Sequence, residues 1–195
     1  MKNKPLIKNE LPISLTLLSL LWVTRSGVVG SHFGSALNLP DASWAVFWLL
    51  GFWTRRVHWL AVAFIASMTA DYFAVKHGTR TDCFTPAYIF LLPAYLSLWG
   101  AGRWAQHRLT SNVKCWPMVS LSVIAGVLAC FICSNIGMYI ASDTVNSLSA
   151  WEYMLAIAHY LPLYLATTSM YVGTGGLIAY VIKQIPLLTH SNQRA

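Results

Sequence analysis

Long apolar blocks separated by short polar connectors are the feature that most constrains what this chain can fold into. Of its 195 residues, 56% are hydrophobic and only 10% are charged, whereas a soluble domain usually carries about 25% charged residues. Hydrocarbon cannot satisfy backbone N–H and C=O groups, so each block is expected to be helical. The pattern therefore predicts an all-α integral membrane protein in which residues 1–195 form a single transmembrane domain.

At roughly 20 residues per crossing, six transmembrane helices use up the chain. The predicted spans are residues 11–31, 41–53, 59–75, 86–104, 116–142 and 153–182. Pro93 predicts a kink in the fourth span, and Pro162 and the glycine group within 173–176 predict interruptions of the sixth. The opening segment is similar to a signal peptide, but no clear small-residue cleavage site follows it. We therefore interpret it as a retained first helix.

The distribution of Lys and Arg predicts the orientation of the bundle. With the N-terminus inside, the cytoplasmic connectors hold Lys2, Lys4, Lys8, Arg55, Arg56, Arg103, Arg108, Lys114, Lys183 and Arg194. The outer connectors hold only Lys76 and Arg80, and Arg25 lies within the first span. This asymmetry predicts that both termini are cytoplasmic (N-in, C-in). Because the basic residues do not cluster on one soluble surface, nucleic acid is not an expected partner.

The outer connectors carry the residues best suited to chemistry. Cys83 lies just before the fourth span, and a thiolate is a soft ligand that suits late transition metals. His32 follows a run of small residues after the first span, where it either contacts a ligand or serves as a polar residue at a helix interface. An incidental loop cysteine is the alternative for Cys83.

Two charged residues are predicted within the membrane, where charge is costly unless it faces a cavity or a partner. Asp71 falls in the last outer turns of the third span, and Arg25 is available to pair with it. Tyr88, in the first turn of the fourth span, is placed to direct its hydroxyl into the same pocket. Cys130 and Cys133 spell C-x-x-C, but they lie among apolar residues in the middle of a span, where thiols act as small apolar side chains.

No nucleotide-binding or hydrolase motif occurs in the sequence, so the chain is not expected to be an enzyme or to hydrolyse ATP by itself. Active transport would then need an ATPase from another chain or an ion gradient. One alternative is a membrane thiol enzyme or redox protein that uses Cys83 with His32 or His77. Another is a haem protein that uses His32 and His159.

The combination of motifs resembles the BtuM family of cobalamin (vitamin B12) transporters, which are related to the S-components of energy-coupling-factor (ECF) transporters. The resemblance rests on Ser-His-Phe-Gly at 31–34, Thr-Ala-Asp-Tyr at 69–72 and Asp-Cys-Phe-Thr-Pro-Ala-Tyr at 82–88. It implies an S-component-like bundle in the inner (plasma) membrane of a bacterial cell. It also implies that cobalamin is bound at the outer face as the transported ligand, with no independent metal.

By the same resemblance, Cys83 supplies the thiolate that ligates cobalt, and His32, Asp71 and Tyr88 line the site. Thiolate ligation would assist removal of an upper ligand such as cyanide. Besides cobalamin and the lipid bilayer, the implied partners are an ECF-type transmembrane subunit and its ATPases. S-components bind such a module through an Ala-x-x-x-Ala face on their first helix, and this face is not found in the first span. Both transport by this chain alone and transport together with the ATPase module are therefore left open.

Overall fold

The computed structural model describes residues 10–26, 40–54, 56–76, 86–109, 116–141 and 148–191, with the backbone alone at 109 and 183–191. These ranges form an all-α fold with seven α-helices. The helices are α1 (Glu10–Arg25), α2 (Ser43–Trp53), α3 (His58–Lys76), α4 (Leu91–Leu109), α5 (Trp116–Ala141), α6 (Ala150–Ala158) and α7 (Leu161–Ser191). A short 3-10 helix, Pro86–Phe90, precedes α4.

Three of the six predicted spans match a helix within two residues at each end. Helices α2, α3 and α5 agree closely with the predicted segments, and the fourth span is divided into the 3-10 helix and α4. Pro93 lies in the first turn of α4. Backbone N–H groups there have no partner within the helix, so α4 loses no hydrogen bond to the proline. Helix α1 ends at Arg25, before the predicted end of the first span, and 27–31 lie outside the described residues.

The predicted sixth span is two helices, because the chain turns at His159 and Tyr160 between α6 and α7. Pro162 is the cause, since it lacks the N–H that would bond to the carbonyl of Ala158 and its ring would meet that carbonyl. In the new helix it occupies a first-turn position, which proline tolerates. The predicted interruption at the glycine group is wrong, because α7 runs through 173–176 without a break.

Helix α2 lies at the centre of the fold. Seven consecutive residues, 45–51, are buried, and the helix packs against α1, α3, α4, α5 and α7. A helix that is apolar on all sides must be enclosed by protein or lipid. With 11 residues it is about 16 Å long, short of the ~30 Å hydrocarbon core. The predicted span 41–53 thus corresponds to a short helix that packs against five other helices.

Two glycines allow α2 and α4 to approach closely. A Cβ at Gly51 would overlap the carbonyl oxygen of Trp99, and a Cβ at Gly102 would overlap the carbonyl oxygen of Trp48. The contact is reciprocal, since each helix carries a Trp-x-x-Gly segment whose tryptophan carbonyl meets the glycine of the other. Small residues at a crossing let backbones pack at distances that a side chain would prevent.

Three described helices are long and apolar enough to cross a membrane. They are His58–Lys76, Trp116–Ala141 and, within α7, Leu161–Ile182. Only 11% of an 18-residue apolar stretch in the α7 segment is buried inside the fold. Most of the apolar surface of Leu161–Ile182 therefore faces outward.

The start of α6 is held by a capping box. The Ser149 hydroxyl accepts a hydrogen bond from the backbone N–H of Glu152 at 3.3 Å, and the Glu152 carboxylate accepts from the Ser149 backbone N–H at 2.9 Å. The carboxylate also accepts from the Ser149 hydroxyl at 2.7 Å. These bonds lower the pKa of Glu152 below its usual value of 4.5, and the bond from the Ser149 hydroxyl has the largest effect.

We expect the first turn of α6 to open in acid. A carboxylate with a lowered folded-state pKa contributes stability that is fully present above its unfolded-state value, and this contribution is lost as the pH falls through the folded-state pKa. The protection of the α6 amides, which is the factor by which they exchange more slowly than an unstructured peptide at the same pH, should therefore fall below about pH 4.5. Ser149→Ala should lower this protection at neutral pH and flatten its dependence on pH. Equal protection of the α6 amides in the variant and the wild type at neutral pH would contradict the role of the cap.

Candidate functional site

Arg25 is the last residue of α1 and the centre of a buried polar network. The carboxyl end of a helix carries partial negative charge, which favours a cation there. The Arg25 side chain is only 13% exposed. A charge removed from water to that extent needs close partners of opposite sign. The structure supplies two such partners, Asp41 and Asp71.

The first partner is Asp71 on α3, which binds the guanidinium in a bidentate manner. Arg25 Nε donates to Asp71 Oδ1 at 2.6 Å, and Nη2 donates to Oδ2 at 2.9 Å. The Asp71 side chain is 1% exposed. Two parallel charge-assisted bonds fix the relative orientation of the two groups as well as their distance. The pairing of the two intramembrane charges predicted from the sequence is thus present.

The second partner is Asp41, which precedes α2. Arg25 Nη1 donates to Asp41 Oδ2 at 3.0 Å and to the Ser43 hydroxyl at 3.1 Å. Asp41 Oδ1 accepts from the backbone N–H of Ser43 at 2.9 Å and from its hydroxyl at 2.6 Å. The carboxylate therefore lies at the amino end of α2, where the helix dipole favours negative charge.

Tyr88 connects the 3-10 helix to the same network. Its hydroxyl donates to Asp71 Oδ2 at 2.5 Å. The network thus joins the end of α1, the start of α2, the last turns of α3 and the segment that leads into α4. Within the described residues, four chain segments meet at one end of the bundle through Arg25 and Asp71.

Aromatic side chains extend this end of the bundle toward α7. Trp44, next to Ser43, stacks on Tyr164 with ring centroids 4.3 Å apart. The Tyr171 hydroxyl donates to the carbonyl oxygen of Pro40 at 2.8 Å. A stacked aromatic pair therefore lies beside the charged network.

The structure brings together two of the four residues predicted to line a site. Asp71 and Tyr88 are hydrogen-bonded to each other, whereas His32 and Cys83 lie outside the described residues, as does His77. Asp41 and Ser43 also belong to the network, but they were not predicted as site residues. The available signal was an Asp-x-Ser segment at the start of an apolar helix, which is typical of a helix cap.

The other candidate residues lie elsewhere. Cys130 is buried and Cys133 partly buried in α5, and neither forms a disulfide. Cys130 belongs to the hydrophobic core, as expected for a thiol that acts as an apolar side chain. His159 is exposed at the turn between α6 and α7 and contacts the ring of Tyr160. Within the described part of the chain, no group of three or more His, Cys, Asp or Glu side chains could hold a metal ion.

The described residues define an all-α protein with three helices that are long and apolar enough to cross a membrane. No protein-family model matches the chain. A search of curated proteins likewise gives no significant match.

Proposed function

We propose that the chain is a multi-pass membrane protein with six crossings and cytoplasmic termini that takes up cobalamin across the inner membrane. Three described helices have the length and composition for a crossing, and large apolar residues on them are exposed. On α7 these include Leu163, Leu177 and Ile178, each more than half exposed. Exposing this apolar surface to water would cost a free energy of about 25 cal/mol per Å², and contact with lipid avoids that cost.

The Arg25 network is the observation that carries the proposal for a ligand site. It ties together the described ends that flank two connectors, 27–39 and 77–85, which contain His32 and Cys83 respectively. The Lys and Arg distribution assigns this end of the bundle to the outer face. A binding site built from both connectors would therefore rest on a rigid, charge-paired base.

The chemistry of a corrinoid suits such a site. It is a large flat ring with a fringe of amides and a metal that accepts axial ligands. In the proposal the Cys83 thiol provides one axial ligand, and aromatic side chains such as Trp44 and Tyr164 provide flat apolar surface. With cyanide as the upper ligand, the exchange breaks the cobalt–carbon bond as the cobalt–sulfur bond forms, and cyanide leaves with the thiol proton. No electron is gained or lost by cobalt.

A visible spectrum tests the proposal. Protein purified from cells supplied with cobalamin should carry corrinoid absorption bands, and Cys83→Ala should shift or lose the bands that depend on sulfur ligation. Cys133→Ala is a matched control, because it removes a thiol within α5 and should leave the spectrum unchanged. A colourless wild-type protein would contradict cobalamin binding. Covalent trapping of Cys83 by a substrate analogue without a cobalt chromophore would instead favour a thiol enzyme.

A further inference from the structure

Helix α6 exposes large apolar side chains along one side. Trp151 is 71% exposed, and Met154 and Leu155 are also exposed. Tyr153, on the opposite side of the helix, is buried. Contact with water would disfavour the exposed side, since leaving apolar area in water costs free energy. The outward side of α6 therefore fits an environment that is at least partly apolar.

This outward side continues into that of α7. The buried or partly buried residues recur at steps of three or four through the turn that joins the two helices, at Tyr153, Ile157, Leu161, Tyr164 and Thr168. Such steps mark a single helical face, so the opposite sides of α6 and α7 form one apolar surface. The part of this surface on Leu161–Ile182 has the length and composition for a membrane crossing. Lipid that covers α7 therefore also reaches α6.

The length of the surface places α6 at the edge of the bilayer. No Asp, Glu, Lys or Arg occurs in residues 153–182, which as a helix measure about 45 Å. This is the thickness of a bilayer with its headgroup regions, whereas the hydrocarbon core alone measures ~30 Å. Leu161–Ile182 has 22 residues and fills that core by itself, since it rises about 33 Å. Helix α6 then falls in the headgroup region beyond it.

The turn between α6 and α7 suits the same depth. Pro162 has no N–H to donate to the carbonyl of Ala158. A carbonyl without its helical partner is costly in hydrocarbon, whereas water among the headgroups can bind it. Tyr160, which is exposed at this turn, and Trp151 each combine an apolar ring with a polar N–H or O–H group. Such side chains are enriched where hydrocarbon meets water.

Two hydrogen bonds hold α6 against the last turns of α5. The Tyr153 hydroxyl donates to Asn135 Oδ1 at 3.1 Å, and the Tyr139 hydroxyl donates to the carbonyl oxygen of Leu148 at 3.1 Å. Helix α5 has 26 residues and is about 39 Å long, so it also extends beyond a hydrocarbon core of ~30 Å. The depth of α6 in the bilayer thus sets the depth of this end of α5.

We infer that α6 is an interfacial helix that binds the outer-leaflet headgroup region of the bilayer through Trp151, Met154 and Leu155. The inference rests on the proposed membrane topology, which assigns this end of the bundle to the outer leaflet. Lipid is the partner because the exposed side of α6 is continuous with the apolar surface of α7. The one charged residue of α6, Glu152, is held in the capping box, and the helix carries no cluster of charges that would select a charged partner.

Depth-dependent fluorescence quenching tests the inference. The full-length protein is reconstituted in phosphatidylcholine vesicles that carry a nitroxide either on the headgroup or near the end of an acyl chain. The contribution of Trp151 is the difference between the wild type and Trp151→Phe. The headgroup nitroxide should quench this difference more strongly than the deep nitroxide or than iodide in the water. Trp48→Phe is the matched control, because Trp48 is 1% exposed and its contribution should respond least to all three quenchers.

The other outcomes separate the alternatives. Strongest quenching by the deep nitroxide would place α6 within the crossing, and strongest quenching by iodide would place it in water. Quenching by none of the three would indicate that a second copy of the chain covers α6. Each of these results overturns the inference and leaves the proposed function standing. Protein that fails to float with the vesicles in a density gradient would overturn the proposed membrane topology as well.

Discussion

Gly102→Ala is expected to destabilise the fold by about 3 kcal/mol, because the new Cβ would overlap the backbone carbonyl of Trp48 at the crossing of α2 and α4. A backbone atom cannot move aside as the end of a flexible side chain can, so the two helices must separate. Alanine's better helix propensity returns only about 1 kcal/mol. Thermal unfolding of the detergent-solubilised protein, followed by tryptophan fluorescence, should show a midpoint lower by roughly 5–10 °C. Gly51→Ala should behave similarly, since its Cβ would overlap the carbonyl of Trp99.

Gly100→Ala is the matched control for this prediction. It lies in the same helix, two residues away, and no atom lies within 4 Å of a Cβ built there. Only the gain in helix propensity remains, so this variant should be neutral or more stable by up to about 1 kcal/mol. Equal midpoints for Gly100→Ala and Gly102→Ala would refute the close crossing.

Arg25→Leu is expected to destabilise the protein by about 3–5 kcal/mol, the usual cost of breaking a buried ion pair from one side. The variant leaves Asp71 enclosed, with 1% exposure, and without the cation that binds both of its oxygens. It also leaves Asp41 without its ion-pair partner. The measurement is again the unfolding midpoint. Arg56→Leu is the control, because this arginine is exposed and its loss should change stability by no more than about 0.5 kcal/mol.

The double variant Arg25→Leu with Asp71→Asn tests whether unpaired charge causes the loss. Asparagine keeps the size of the side chain but removes the buried charge, so the double variant should be more stable than Arg25→Leu alone. Non-additivity of this kind is expected for groups in direct contact. If Asp71→Asn lowers the stability of Arg25→Leu by as much as it lowers the stability of the wild type, the ion pair does not contribute the energy assigned to it.

Much of the helical structure could be predicted from the sequence. The limits of α2, α3 and α5 lie within two residues of the predicted spans, and Pro162 was expected to interrupt the last one. These features depend on neighbouring residues, since helical hydrogen bonds join positions four apart and a proline removes one such bond locally. The glycines within α7 were misjudged because glycine lowers helix propensity by only about 1 kcal/mol, which the rest of a long helix easily outweighs.

The candidate site could be predicted only in part. Asp71, Tyr88 and Arg25 stood out because polar groups within apolar blocks need partners. Their common network includes Asp41 and Ser43, whose roles depend on where the start of α2 lies relative to Arg25. The bond between Arg25 and Asp71 joins residues 46 apart in the chain. No local pattern encodes such a distance, since it results from how α1 and α3 pack.

The sequence by itself determined that the chain forms apolar helices, and roughly where they begin and end, because backbone groups in apolar segments must bond within their own segment. The tertiary structure alone decided that α2 is enclosed on all sides, that Gly51 and Gly102 meet the tryptophan carbonyls of the opposite helix, and that one guanidinium serves two carboxylates. These outcomes depend on contacts between distant segments, and packing and charge pairing select among them only once the helices are assembled.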